Sequence, residues 1–485
     1  MLPQSQMLIV MIVYLVLLIS WGVYQGMKVK SSTDYSIGGR ALPGWAAALS
    51  ERATGESAWA LLGLPGAAYA TGLMEIWTAI GCVFGVIFAW IVLAWRLQKE
   101  AQKYEVQTFT DYLAKRHAEQ AKLIRIISSL TIIFFFFFYV GAQFVAGGKT
   151  LFTMFHIKPE YGILITAAII VPYTIFGGFR SVVYTDVIQA IIMILTLIVG
   201  PIVGIIYIKN NPGVYAHSIT EALNTAGPSY TAIVKGANGF QWGLIISGLS
   251  WMFGYFGGMP QLTTRFMSIR DQRQAKIGRN VGVLWTIIAY IGALSLGWIG
   301  LAIFGPDTLQ DREFVMPKVL LQIFPPYIAA LLITGAIAAM ISTADSLLIL
   351  SSTELSENIL TKKSAKKKQK LLISRYSTAF LAIIALSIAI LSQKSELLSK
   401  FVFDLVSYVW AGIGGTYSVI ILLSLFWKRF NAKATIATII VGISFTIFWI
   451  SSGLEEKIMT ARIMTFVVAL LTAVLVSVLT KRQEH

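Results

Sequence analysis

This chain of 485 residues has little of what disulfides, metal centres and soluble surfaces are made from. Its one cysteine, Cys82, lies inside an apolar stretch and can close no intramolecular disulfide. It reads as a small apolar residue packed among helices. The four histidines, His117, His156, His217 and His485, fall in loops or at the C-terminus without metal-ligand spacing. Only 13% of residues are charged against 56% hydrophobic, and a soluble fold could not hide that much apolar surface. No polar stretch is long enough for a separate soluble domain, so one membrane domain over residues 1–485 is expected. No nucleophile–base pair stands out, and an enzyme is not expected. The N-terminus lacks a basic region before its apolar stretch and a small-residue cleavage site after it. Met7 to Met27 is therefore expected to stay as a membrane anchor.

What the chain does have is a succession of apolar runs, each long enough to cross a ~30 Å hydrocarbon layer. Thirteen spans are expected, at about 7–27, 44–70, 73–97, 124–153, 158–178, 182–207, 237–266, 277–304, 325–352, 373–392, 399–426, 433–452 and 459–480. The formal charge of +16 lies in short loops between them, which is a topology signal and not a nucleic-acid surface. With the N-terminus outside, most of the 39 lysines and arginines face the cytoplasm, among them Lys28, Lys30, Arg40, Arg270, Arg273, Lys276 and Arg279. An odd number of spans then puts the C-terminus inside. The run from Lys362 to Lys370 reads as a loop against anionic lipid head groups.

Two spans are interrupted. Residues 44–70 carry Glu51, Arg52 and Glu56 at hydrocarbon depth, and residues 240–266 are loosened at Gly254, Gly257, Gly258 and Pro260. Backbone without helical partners survives there only when buried in protein or lining a watery cavity. Broken helices at corresponding places in two halves point to a transporter's binding site. Spans 2–6 (about 44–207) and 7–11 (about 237–426) would form two five-helix units of opposite orientation, with span 1 and spans 12–13 peripheral.

The side chains near the breaks suggest what binds. Arg52 is spaced for an internal pair with Glu56, while Glu56, beside Gly55, also reads as a cation or proton site. In span 9, Ala339 stands one turn before Thr343, and Ser342, Thr343, Asp345 and Ser346 follow it. Such a face can offer side-chain and carbonyl oxygens to sodium, which needs several. Asp186 reads either as part of an inside cation path, with Asp345 and Ser346, or as a loop-level partner of Arg180. Trp251 and Tyr255 share a helix face and give an apolar wall with two polar tips. Tyr139 and Gln143 form a similar pair, and freed amides at a break suit a carboxylate.

At these residues the chain resembles the sodium:solute symporter family, and within it the bacterial sodium/proline symporters. The resemblance rests on Asp34-Tyr-Ser-Ile-Gly-Gly-Arg40, Gly63-Leu-Pro-Gly-Ala67, Tyr139 through Gly147, Gly177-Gly-Phe179 with Thr185-Asp186, Gly254-Tyr-Phe-Gly257 with Arg265-Phe-Met267, Ala339-Met-Ile-Ser-Thr343, and Leu405 through Gly412. It implies a LeuT-type inverted-repeat fold of two five-helix units and transport driven by sodium, with no cofactor beyond that ion. By resemblance, Ala53 and Glu56 in span 2 join Ala339, Ser342 and Thr343 around sodium. Asp186 matches a functionally important aspartate, and Tyr139, Trp251, Tyr255 and Pro260 match substrate contacts, with Ser57 and Gln143 taken alongside them. The chain departs from the symporters' pattern in three places. Gly55-Glu56 replaces an aspartate followed by a methionine, Asp345 is gained, and the turn before Pro260 is one residue longer. The expectation is a sodium-coupled symporter for proline or a related zwitterion in the bacterial inner membrane, its partners being solute, sodium and lipid. The rivals are a proton-coupled transporter using Glu56 or Asp345 and a symporter-like membrane sensor.

Overall fold

The computed structural model describes residues 3–29, 31–236, 239–240, 242–360, 367–392 and 402–480. Part of the basic run (362–366), His485 and the span-edge residues 237–238, 241 and 399–401 lie outside these. The described chain is helical almost throughout. Its departures from the all-α expectation are a small antiparallel pairing of Lys235–Gly236 with Gly239–Phe240 and a single parallel bridge between Leu42 and Ile269. Among the described residues ten helices are long and apolar enough to cross a bilayer, which makes this a multi-pass integral membrane protein.

The first is α1 (Pro3–Gly26). Two of the ten are far longer than the ~20 residues one crossing takes: Gly44–Lys103 has 60 and Pro159–Asn210 has 52. Both bend at marked points. In the first, α2 (Gly44–Ala58) leaves helical geometry at Ser57, with φ 41 and ψ −166, and a widened turn follows over Trp59–Gly63. The chain then runs through α3 (Leu64–Thr71), reverses at Gly72 and continues as α4 (Ile76–Phe88). The second long stretch is α6 (Pro159–Asn210), preceded by α5 (Ala121–Phe155). It turns at Gly178, with φ 62 and ψ −178. A Cβ on that residue would lie 2.7 Å from the Tyr35 ring, so the left-handed turn and the close approach both call for glycine.

The segment expected over 237–266 is no single helix. It divides into α7 (Trp242–Leu249), α8 (Met252–Tyr255) and α9 (Pro260–Ser268), with Gly257 at φ 89 between the last two. Proline at the start of α9 costs nothing, because the first amides of a helix have no intrahelical partner. Beyond it come α10 (Gln272–Phe304), capped by the Asp271 carboxylate, then α11 (Val315–Ile323) and α12 (Pro326–Leu355). The chain closes with α13 (Lys367–Ser392), α14 (Val402–Val409), α15 (Thr416–Phe426), α16 (Ala432–Ser451) and α17 (Ala461–Leu479).

Burial separates centre from rim. In the most apolar stretch of Pro326–Leu360, 83% of residues are buried, against 28% for Ala461–Leu479. Thus α12 is the hub, packed on α2, α5 and α6, and α10 closes over α2, α3 and α6. Leu, Ile and Val side chains on α1, and Leu and Val on α17, face outward, as lipid-facing surfaces do.

Candidate functional site

The break at Ser57 is built from side chains as much as from backbone. A non-glycine residue at positive φ is strained, by about 1–3 kcal/mol, and persists only where its surroundings over-determine it. Here Gln143 on α5 supplies part of that hold. Its Oε1 accepts the freed Ala58 amide at 3.2 Å, and the Tyr139 hydroxyl donates to Ser57 Oγ at 3.3 Å. The expected trio of Tyr139, Gln143 and Ser57 is therefore brought together at one break.

Immediately before it, over Glu51 to Glu56, lies a fully buried ionic triad. The Arg52 guanidinium donates to Glu51, through Nε at 2.6 Å and a second short contact, and to Glu56 at 2.7 Å. Trp90 Nε1 donates to Glu51 at 3.1 Å, and the Tyr290 hydroxyl donates to Glu56 at 2.6 Å. The internal Arg52–Glu56 pair is thus present. Both Glu56 carboxylate oxygens have partners there, Oε1 in Arg52 and Oε2 in Tyr290.

On the other side of α2 the hydroxyls of α12 meet peptide oxygen. Thr343 Oγ1 donates to the Thr54 carbonyl at 3.1 Å. Thr54 Oγ1 lies 3.4 Å from Ser342 Oγ and 3.0 Å from Ser346 Oγ. Ala53 and Ala339 are buried beside these residues. Asp186 joins them from α6, accepting Ser50 Oγ at 2.6 Å. Its ion-pair partner is Arg265 on α9, at 3.1 Å, so the proposed pair with Arg180 is corrected. The Arg265 guanidinium also donates to Ser50, Thr54 and Ser346, at 3.0, 3.0 and 2.5 Å. Asp345 points elsewhere: its Oδ2 accepts the Tyr173 hydroxyl at 2.6 Å, and its Oδ1 has no partner among the described residues. A narrow cavity lined by Ser36, Thr108, Arg265, Ser346, Thr353 and Glu354 abuts this junction.

The aromatic residues of the second break close against the first. Trp251 stacks on Trp59 with ring centres 4.5 Å apart and planes 11° apart. Tyr255 meets Trp410 edge-on at 5.2 Å, and its hydroxyl lies 3.1 Å from that of Tyr290. Pro260 opens α9 on the far side of the break. The place expected for solute is therefore filled by side chains in a closed arrangement. Two buried donors inside it, Trp251 Nε1 and Gln143 Nε2, have no acceptor among the described residues.

Sequence reading missed Ser50, Thr54, Trp59, Tyr290, Arg265 and Arg462. Ser50 and Thr54 stand four apart on the face that carries the ion junction, and that spacing was a usable signal. The expected spans 237–266 and 459–480 put Arg265 and Arg462 at span ends, yet both are buried, at 0% and 5% exposure. A buried Asp186 in want of a cation was the available hint for the first.

Residues 35–442 match the sodium:solute symporter family. An osmoregulated proline transporter of Bacillus subtilis is 33% identical over 478 residues, covering 97% of this chain and 94% of the relative. A high-affinity proline transporter of the same species is 34% identical over 471 residues, covering 96% of each. The sodium/proline symporter of Escherichia coli is 31% identical over 460 residues, covering 93% of this chain and 89% of that one. Among solved structures, a substrate-bound, outward-open, Na+-coupled sialic acid symporter superposes with a TM-score of 0.79 at 20% identity, over 99% of both chains. A nucleobase-cation-symport-1 family transporter in a closed conformation gives 0.53 at 13% identity, over 91% of this chain and 92% of that one. At these identities the two structures speak to the fold alone.

Proposed function

The chain belongs to the sodium:solute symporter family, and on that footing we propose that it couples inward sodium movement to uptake of a small zwitterion, proline or a close relative. The topology of the proposal is thirteen spans in one membrane domain of residues 1–485, with the N-terminus outside and the C-terminus cytoplasmic in a bacterial inner membrane. In that count the two long helical stretches supply two spans each, and α7 to α9 supply one. The two broken spans open two inverted five-helix units.

One observation carries the reading. The α12 hydroxyls Ser342 and Thr343 meet the Thr54 carbonyl and hydroxyl directly beside a helix break. Sodium would take those hydroxyls with the carbonyls of Ala53, Glu56 and Ala339, while Asp186 and Ser346 line its way inward. Solute would part Trp59 from Trp251 and lie among Ser57, Tyr139, Gln143, Trp251, Tyr255 and Pro260. Its carboxylate would take up the two donors on Trp251 and Gln143 that lack acceptors among the described residues. Sodium favours the form with an ordered solute site and solute favours closure, because each ligand binds the two forms unequally.

Asp345 supports a second reading. It is buried and forms no ion pair among the described residues, which suits a proton carrier. Uptake of a labelled-solute panel into proteoliposomes separates the two. Proline uptake that follows a sodium gradient at constant pH supports the first. Uptake driven by a pH gradient in sodium-free medium replaces it with the second.

A further inference from the structure

The expectation for α17 is a peripheral helix, and most of it is one. Its second residue, Arg462, is the exception, because its side chain runs inward between α7 and α14. Nε donates to Ser250 Oγ at 2.9 Å, and Nη2 to the Ser247 carbonyl and hydroxyl at 3.0 and 3.2 Å. Nη1 donates to Ser407 Oγ. All these acceptors are neutral. Glu455, Glu75 and Asp404 act on the guanidinium through space, and among the described residues no carboxylate closes an ion pair with it. A buried cation without a close counter-ion is costly, and in a membrane protein such a charge marks function before structure.

Its position says which function. The guanidinium carbon sits 4.5 Å from the centre of the Trp251 ring. Trp59 stacks on that ring at 4.5 Å, which leaves Arg462 the opposite face. A cation over an indole is held by the ring quadrupole and draws electron density toward itself. The indole N–H thereby becomes a stronger donor. That N–H, buried and without an acceptor among the described residues, is the polar tip of the solute wall.

We infer that Arg462 determines the class of solute. From behind Trp251 it braces the indole and adds a fixed positive field, so the site favours a carboxylate and disfavours amides and cations. Arg462 itself does not touch solute. The inference rests on the reading of Trp251 as part of the solute site.

The test uses the full chain in proteoliposomes, with sodium-driven uptake of labelled proline. Unlabelled proline and prolinamide, which keeps the ring and loses the carboxylate, compete for it in wild type, Arg462→Met, Arg462→Lys and Trp251→Phe. Loss of one positive charge roughly 8 Å from a carboxylate at an effective dielectric of about 20 predicts a ten- to thirtyfold weaker half-inhibition by proline in Arg462→Met. Prolinamide, a cation without the carboxylate, should compete as well as before or better, and Arg462→Lys, which keeps the charge, should keep most of the discrimination. A purely structural role would weaken both competitors alike or leave their ratio unchanged, and either result overturns the inference. Should Arg462→Met fail to fold, Arg462→Gln, which loses the charge and keeps hydrogen-bond donors for the serines, takes its place: a lost preference for proline upholds the inference, and an unchanged ratio overturns it. Trp251→Phe checks the premise separately. If it alters neither competitor, Trp251 is not at the solute site and that reading falls, whatever Arg462 does.

Discussion

Removing a hydroxyl from α12 separates ion binding from folding. In Thr343→Ala the protein loses one hydrogen bond, from Oγ1 to the Thr54 carbonyl at 3.1 Å. A neutral hydrogen bond of that kind contributes about 1 kcal/mol to stability. In a chain of this size that lowers the melting temperature by about 2 °C or less. An oxygen that ligates an ion is in a different class, since bonds to charged groups contribute about 1.5–3 kcal/mol. The half-activating sodium concentration should therefore rise about 10- to 150-fold. Ser342→Ala sharpens the contrast. Its Oγ lies 3.4 Å from Thr54 Oγ1, near the limit of a hydrogen bond, so its removal should barely move the melting point. Its effect on sodium activation should still be tenfold or more by the same argument, at about 1.4 kcal/mol per decade. The assay is initial uptake of labelled proline into proteoliposomes across a sodium titration, beside thermal melting in detergent. A lower maximal rate with unchanged half-activation in both variants would refute the ion assignment.

Three further outcomes follow from the packing. Arg52→Met should cost about 3–5 kcal/mol, because it leaves Glu51 and Glu56 buried without their cation; a melting temperature within a degree or two of wild type would contradict the triad. Gly258→Ala should block folding or transport, since its Cβ would stand 2.1 Å from the Gly414 carbonyl oxygen and 2.5 Å from the Ser418 amide; normal uptake by this variant would disprove the close approach of the second break to the α14–α15 segment. His117, just ahead of α5 on its cytoplasmic side in the proposed topology, has its pKa pushed down from 6.5 to about 3 by burial, with Arg116 adding to the effect. The folded form then binds fewer protons than the unfolded one between those values, so stability is complete above about pH 6.5 and falls by up to about 1.4 kcal/mol per unit below it. Melting across pH 7.5 to 5 should show this loss in wild type and a smaller one in His117→Gln.

How legible the fold was depended on whether a feature is local. Hydropathy alone marked the spans, and Gly254, Gly257, Gly258 and Pro260 announced the second break, because glycine and proline act through their own backbone. The first break is different. Ser57 is neither glycine nor proline, and its turn exists because Gln143, far along the chain, receives the Ala58 amide. No window of sequence holds both residues. The triad was half visible: the spacing of Arg52 and Glu56 gave their pair, while the grip of Tyr290 on Glu56 comes from α10. The span bounds put a loop near residues 178–182, at the hinge in α6. In the structure the helix continues past Gly178, and only that residue leaves helical geometry.

Arg265 and Arg462 show why a charge tally misplaces residues near the ends of spans. Both stand where a long side chain could turn outward to head groups, and a count by sequence sends them there. What decides is the partner across the bundle. Arg265 finds Asp186 and three hydroxyls, which repay its desolvation through an ion pair and a full set of bonds. Arg462 finds serines and an indole face, a weaker set, and so keeps more of its field for whatever comes to Trp251. The two cations therefore divide the work by how completely each is neutralised. One is consumed in tying α9 to α2, α6 and α12. In the proposed function the other leaves a positive bias at the aromatic closure, where Trp59 would part from Trp251 for a solute to enter. Stacking of that kind contributes only about 0.5–1.5 kcal/mol beyond buried area, within reach of a ligand that binds the parted form better.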